Sequence, residues 1–175
     1  GGVAGTWTPL TTTATSGSFA VTGRLHNIRY TYRVRAQNGA GMWSAWSVES
    51  DGILVDTTAP SPVTVTDDGA TTSSTTTLHA TWTASADAES GLSNYDYRIL
   101  RDSTSGTQVV GWTSTSLNTQ VTRTGLSLVN GVTYYFAVRA KNRAGTYSSV
   151  AYSDGITVSS AIVPGFPKGF ARCSP

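Results

Sequence analysis

Val34-Arg-Ala-Gln-Asn-Gly-Ala-Gly41 recurs further along the chain as Val138-Arg-Ala-Lys-Asn-Arg-Ala-Gly145. The two octets lie about one domain length apart, and a domain-sized repeat marks an array of similar modules. The match extends outward in both directions. Tyr30 is answered by Tyr134, Leu25 by Leu128, and Ser50-Asp-Gly-Ile53 by Ser153-Asp-Gly-Ile156. Trp7, with Gly5 and Thr8 beside it, answers Trp112 with Gly111 and Thr113. At the start of the octet, Val34 and Ala36 alternate with Arg35 and the preceding Arg33, the period-two pattern of a strand with one buried face.

Ahead of the second octet lies a portion that the first lacks. Leu78, Ala80 and Trp82 alternate with polar residues, as do Tyr95, Tyr97 and Ile99, so two further strands with one buried face are expected there. No counterpart precedes Trp7, and the chain is read as beginning in the middle of a module. Asp56-Thr-Thr-Ala-Pro60-Ser-Pro62 has two prolines that remove backbone donors and favour extended structure. The expected layout is therefore the C-terminal part of one module over 1–56, a short linker at 57–62 and a complete module over 63–160. Past Ser160 the alternation stops, and 161–175 is read as a disordered tail.

Composition narrows the function classes. Of 175 residues, 13% are charged and 38% hydrophobic, with 18 glycines, which suits a Thr- and Ser-rich strand protein with many turns. No stretch approaches the roughly 18 consecutive apolar residues of a membrane helix, so no membrane insertion is expected. A net charge of +2 with scattered basic residues gives no footprint for neutralising phosphates, and nucleic acid is not expected as a partner. Cys173 is the single cysteine, so neither an intrachain disulfide nor a cysteine metal site is expected. The N-x-S/T pattern is absent, and the first residue is Gly1 with no basic-then-apolar leader after it.

The run Tyr134-x-Phe136-x-Val138-x-Ala140-x-Asn142-x-x-Gly145, preceded by Leu128, resembles the F strand and F–G turn of fibronectin type III domains. Tyr30, Tyr32, Val34, Ala36, Asn38 and Gly41 repeat it. The resemblance implies an all-β chain of tandem immunoglobulin-like sandwiches, the first incomplete and neither held by disulfides. It also implies that Trp82 lies at the heart of the core on the B strand and that Tyr95 and Tyr97 are the C-strand aromatics. Tyr30 and Tyr134 would then be tyrosine-corner residues whose hydroxyls bond back to the backbone.

Trp43-Ser-Ala-Trp46-Ser47 resembles the WSXWS box of class I cytokine receptors, where the tryptophans stack with F-strand arginines. On that resemblance Arg33, Arg35, Trp43 and Trp46 form a surface cation–π ladder, with a stapling role favoured over ligand contact. In the second repeat Ala137 replaces Arg33, Tyr147 replaces Trp43 and no tryptophan answers Trp46, so only the first repeat is expected to have a reinforced face.

Other constellations are weaker. Asp87, Glu89 and Asn94 fall near the B–C loop and Asp67-Asp68-Gly69 ends the A strand; such carboxylates can ligate calcium, and solvated turns are the favoured reading. His26 is placed in a turn, His79 points outward from its strand, and Arg101-Asp102 reads as a polar turn. No nucleophile elbow or phosphate loop occurs, so no catalytic residue and no cofactor are expected. The favoured function is a non-catalytic structural or spacer module of an extracellular or cell-surface protein, flanked by sister repeats. Two alternatives stay open: an adhesion or receptor module engaging a protein or glycan through Trp43 and Trp46, and an accessory domain of a secreted polysaccharide-degrading enzyme. If strands A to C of the first repeat are lacking, Val21, Tyr32, Val34 and Ile53 have no opposing sheet. Excision from a longer array is the favoured explanation, with strand complementation by another chain as the other.

Overall fold

The computed structural model describes residues 20–160. Trp7 and its neighbours, and the 161–175 segment read as a tail, lie outside the described residues. The chain divides into two compact units, Gly1–Val55 and Asp56–Pro175. The described residues form strands and turns, with no helix among them.

The second unit is a two-sheet sandwich. Its strands are β3 (Val65–Asp67), β4 (Thr71–Thr72), β5 (Leu78–Trp82), β6 (Leu92–Arg101), β7 (Thr107–Ser114), β8 (Gln120–Arg123), β9 (Thr133–Asn142), β10 (Ala151–Tyr152) and β11 (Ile156–Val158). One sheet has the order β3-β5-β8, and the other runs β4-β11-β9-β6-β7 with β10 also on β9. All pairings are antiparallel except β11 with β4, where Thr157 opposes Thr71.

Alternation in the sequence becomes alternation in burial. Leu78, Ala80 and Trp82 are buried from β5, and Tyr134, Phe136, Val138 and Ala140 from β9, with Tyr95, Tyr97 and Ile99 beside them on β6. Ile156 and Val158 complete the face, while Val63, Val65, Leu126 and Leu128 close the core. Trp82 meets Tyr95 edge-on at 5.9 Å between ring centroids, an arrangement that matches ring edge to ring face. Tyr97 and Phe136 lie 6.3 Å apart. The Tyr134 hydroxyl accepts from the Val129 amide at 2.9 Å, locking the turn that delivers β9. Before β11 the backbone turns at Gly155 with φ +98°, and a Cβ there would sit 2.5 Å from Tyr135 Cε1, so glycine is required on both counts.

The segment expected to be a linker at 57–62 belongs instead to this second unit. Asp56 is buried, Thr58 O accepts from Asn142 Nδ2 at 3.0 Å, and the Ser61 amide donates to Ala86 O at 2.9 Å. Ser85 Oγ also donates to Ser61 O at 2.6 Å. The extended backbone that proline enforces lets this tract lie along the sandwich and satisfy its polar groups there.

In the first unit, β1 (Arg29–Tyr30) pairs antiparallel with β2 (Ile53–Leu54). The rest of the described part is held by a serine zipper. The amides of Ser44, Ser47 and Ser50 donate to the carbonyls of Ala36, Val34 and Tyr32. Each serine hydroxyl then accepts from the amide of the same partner, all three at 3.0 Å. Three residues on one side thus oppose two on the other, a repeated bulge that regular ladder pairing does not produce. The Tyr30 hydroxyl accepts from the Leu25 amide at 2.9 Å, the same five-residue corner that Tyr134 makes.

Candidate functional site

The first unit presents Arg35 between two tryptophans. Its guanidinium carbon lies 4.2 Å from the Trp43 ring centroid and 4.4 Å from that of Trp46, well inside cation–π range. The strand sets this geometry: with Val34 on one face, Arg35 emerges on the other, and the zipper brings Trp43 and Trp46 back across it. Trp43 and Gln37 also form an isolated backbone bridge. Beside Trp43, Ala36, Gln37, Asn38, Met42 and Ser44 line an open cleft of about 350 Å³.

Arg33 departs from the expected ladder. It shares a face with Arg35 but reaches the Glu49 carboxylate, at 3.1 Å. Thr31 Oγ1 donates to the other Glu49 oxygen at 2.5 Å. Those two donors, Thr31 first and Arg33 second, hold the Glu49 carboxyl below the usual range. Both members of the pair are half exposed, so the contact orients side chains more than it stabilises the fold.

The second unit also has a ladder, which corrects the expectation that only the first repeat is reinforced. Trp112 on β7 lies under Arg98 of β6 at 4.8 Å and Arg139 of β9 at 4.1 Å. Arg139 stacks in turn on Tyr147 at 3.7 Å, and the Lys141 ammonium lies 5.1 Å from the same ring. Cation and ring therefore alternate over five residues. The sequence comparison missed it because Trp112 comes from β7, on the opposite side of β9 from the position that Trp46 occupies. Arg139 is further bound to Asp96 at 3.4 Å. Trp112→Ala removes two half-buried stacking contacts, and we expect a loss of about 2 kcal/mol of unfolding free energy, read from the urea midpoint, with Trp112→Phe recovering part of it.

The acidic residues near the B–C loop are not the solvated turns expected of them. Asp56, Asp87 and Glu89 lie close together, with carboxylate oxygens within 4.8 Å of one another. Asn142, buried at the end of β9, donates through Nδ2 to Asp56 Oδ2 at 2.9 Å and Asp87 Oδ2 at 3.1 Å. Ser90 Oγ donates to Asp56 Oδ2 at 2.5 Å, and the Ser90 and Gly91 amides donate to Asp87 Oδ1, both at 2.9 Å. Asn94 turns away from this group and donates to Asp96 at 2.6 Å. Asp67, in the other acidic group, is buried and accepts from the Gly69 and Gly155 amides, both at 3.2 Å. Asp56, Asp67 and Asp87 thus anchor their surroundings through buried donors: the interrepeat tract, the turn before β11 and the loop before β6.

Burial pushes the Asp87 carboxyl up, but the donors from Asn142, Ser90 and Gly91 outweigh it and hold the group below its ordinary value. A carboxylate lowered on folding stabilises the protein above its unfolded pKa, and that contribution disappears as the pH falls through the lowered one. Acid titration from roughly pH 5 downward, monitored by fluorescence, should therefore show a shallower loss of stability for Asp87→Asn than for the unaltered chain across the window beginning near the ordinary aspartate value of about 3.9.

His79 faces outward, as its strand position requires, and binds Asp68 at 2.7 Å. Arg101 and Asp102 pair at 3.2 Å in the turn between β6 and β7. Neither constellation places a nucleophile beside a base.

No protein-family model matches the chain. Among curated proteins it is 35% identical over 159 residues to exoglucanase B of Cellulomonas fimi, covering 87% of this chain and 13% of that protein. It is 37% identical over 158 residues to endoglucanase B of the same organism, covering 85% and 14%. With chitinase A1 of Niallia circulans it shares 30% over 158 residues, covering 87% and 20%. The chain thus spans a fifth or less of the length of each. Among solved structures, the fibronectin(III)-like modules of Clostridium thermocellum CbhA align over 81% of this chain and 69% of that one, at 16% identity and a TM-score of 0.43. Titin domains A168–A170 align over 78% and 44%, at 24% identity and a TM-score of 0.47.

A three-stranded sheet over a five-stranded path and the buried Trp82 define the second unit, and the tyrosine corners at Tyr30 and Tyr134 recur in both repeats. The chain is an all-β protein whose second unit is a two-sheet sandwich similar to fibronectin type III-like modules, with the strands around the repeated octet recurring in its first unit.

Proposed function

We propose that this chain is a non-catalytic spacer within an extracellular polysaccharide-degrading enzyme. The observation that carries the reading is that one stretch of sequence, nearly the whole of this chain, is shared with an exoglucanase, an endoglucanase and a chitinase. A segment common to enzymes named for different polysaccharides and modes of attack does not itself set the substrate. It is suited to a mechanical task. Folded modules hold their ends at a fixed separation, as an unstructured linker does not. The stacked ladders on both units stiffen the sheet faces that would bear load. The same relatives support an extracellular placement.

The chain by itself should release no reducing ends from carboxymethylcellulose or colloidal chitin, and neither microcrystalline cellulose nor chitin should deplete it from solution. A second reading rests on Trp43 and Trp46, both more than a third exposed beside an open cleft. Aromatic faces of that kind stack on sugar rings. Depletion by an insoluble polysaccharide that Trp43→Ala abolishes would replace the spacer with a glycan-binding module.

A further inference from the structure

The ladder on the second unit is a row of charge as well as a row of rings. Tyr97, Ile99, Val138 and Ala140 point into the core, so the alternate positions of β6 and β9 present Arg98, Arg139 and Lys141 on the outer face of the sheet. Arg98 opposes Ala137 in the register, and the three cations therefore stand at the levels of residues 137, 139 and 141. Such levels are roughly 7 Å apart along a strand, which makes the row even. Only its middle member is matched. Arg139 has two rings and the Asp96 carboxylate, whereas Arg98 and Lys141 each meet one ring and have no hydrogen-bond or ion-pair acceptor among the described residues. All five ladder residues are partly exposed. The first unit has no such row among its described residues: Arg35 is stacked there, but Glu49 neutralises Arg33 and Gln37 stands where Lys141 does.

We propose that this face binds an acidic polysaccharide whose carboxylates lie along the Arg98–Arg139–Lys141 row. Stapling the sheet accounts for Arg139, held between two rings, but not for unmatched cations at both ends. Three cations against the one Asp96 carboxylate leave a surplus of two positive charges, equal to the net charge of the whole chain, so the attraction for an anion is concentrated here. Stacked cations occupy the faces of Trp112 and Tyr147, which leaves a neutral sugar no free aromatic plane. A carboxylate finds what it needs instead. Arg98 Nε is buried, so outward donation falls to the terminal nitrogens, and a guanidinium edge gives a carboxylate two parallel hydrogen bonds. The choice of a polysaccharide rests on the proposed place of the chain in a polysaccharide-degrading enzyme. It has a physical ground too: a stiff pyranose chain presents successive carboxylates at less ordering cost than a flexible acidic peptide.

Isothermal titration of the full chain with polygalacturonate tests this. Binding should be measurable at low ionic strength, weaken at least roughly tenfold in Arg98→Gln and in Lys141→Gln, and disappear in about 0.5 M sodium chloride. Both variants keep Arg139 between its rings, and a cooperative urea transition verifies that they fold. Arg123→Gln removes an exposed cation from β8, in the other sheet, and should bind as the unaltered chain does. Fully methyl-esterified polygalacturonate, the same polymer without its charge, should not bind. Absence of binding to polygalacturonate would overturn the proposal. So would an equal loss in Arg123→Gln, which makes net charge and not the row responsible, or equal binding of the esterified polymer, which makes the carboxylates irrelevant. Polyglutamate of matched length binding as tightly would overturn the choice of a polysaccharide and make an acidic peptide the occupant. None of these outcomes bears on the spacer reading, which stands or falls on cellulose and chitin.

Discussion

Asn142→Ala will cost about 4 kcal/mol of unfolding free energy, a large share of the 5–15 kcal/mol typical of a domain. The Asn142 side chain is buried, donates to two carboxylates and to Thr58 O, and accepts from the Thr146 amide at 2.7 Å. Hydrogen bonds to charged groups contribute about 1.5–3 kcal/mol each, and removing a shared donor leaves Asp56 and Asp87 facing one another with fewer partners. Asn38 is the counterpart in the first repeat. It caps its turn in the same way, accepting from the Ala40 amide at 3.0 Å and the Met42 amide at 2.9 Å, but it is exposed. Asn38→Ala should therefore cost no more than about 1 kcal/mol, as expected for bonds that water can replace. Urea unfolding of the two variants side by side checks the difference. Equal losses would mean that the carboxylate cluster is not what makes Asn142 matter.

Phe136→Ala will cost a similar amount, about 4 kcal/mol, by opening a cavity in a fully buried core. Phe136 is packed beside Tyr97 and under the three-stranded sheet, so little around it is free to relax. At the same place in the repeat, Tyr32→Ala should change stability by less than about 1 kcal/mol, because that ring is already partly in water. Chemical denaturation of both variants measures the contrast. A large loss at Tyr32 would show that the first unit buries this face in solution.

The fold was legible in the sequence because sheet burial has a period of two, and this chain keeps that period wherever a strand is covered. Trp82, Tyr95, Tyr134 and Phe136 were placed on the correct face from alternation and resemblance alone. The stack of Arg35 on Trp43 and Trp46 was anticipated in type, though Arg33 goes to Glu49. What escaped was of another kind. The ladder around Trp112 joins residues from β6, β7 and β9, which alignment of one repeat on the other does not bring together. The serine zipper had a visible signal, since Ser44, Ser47 and Ser50 recur every third residue, but a three-residue period in a short segment names no partner until the opposing strand is known.

The sequence by itself determined the repeat and the face of each covered strand, because these depend on local pattern. Only the tertiary structure decided that the Asp56–Pro62 tract is part of the second sandwich. It also decided that the acidic residues are structural anchors and that both units have a stacked face. Each of those outcomes depends on groups distant in sequence meeting at hydrogen-bonding or stacking distance. A lone carboxylate in a turn and one held by a buried Asn142 are identical as sequence, and they differ only in what the folded chain places beside them.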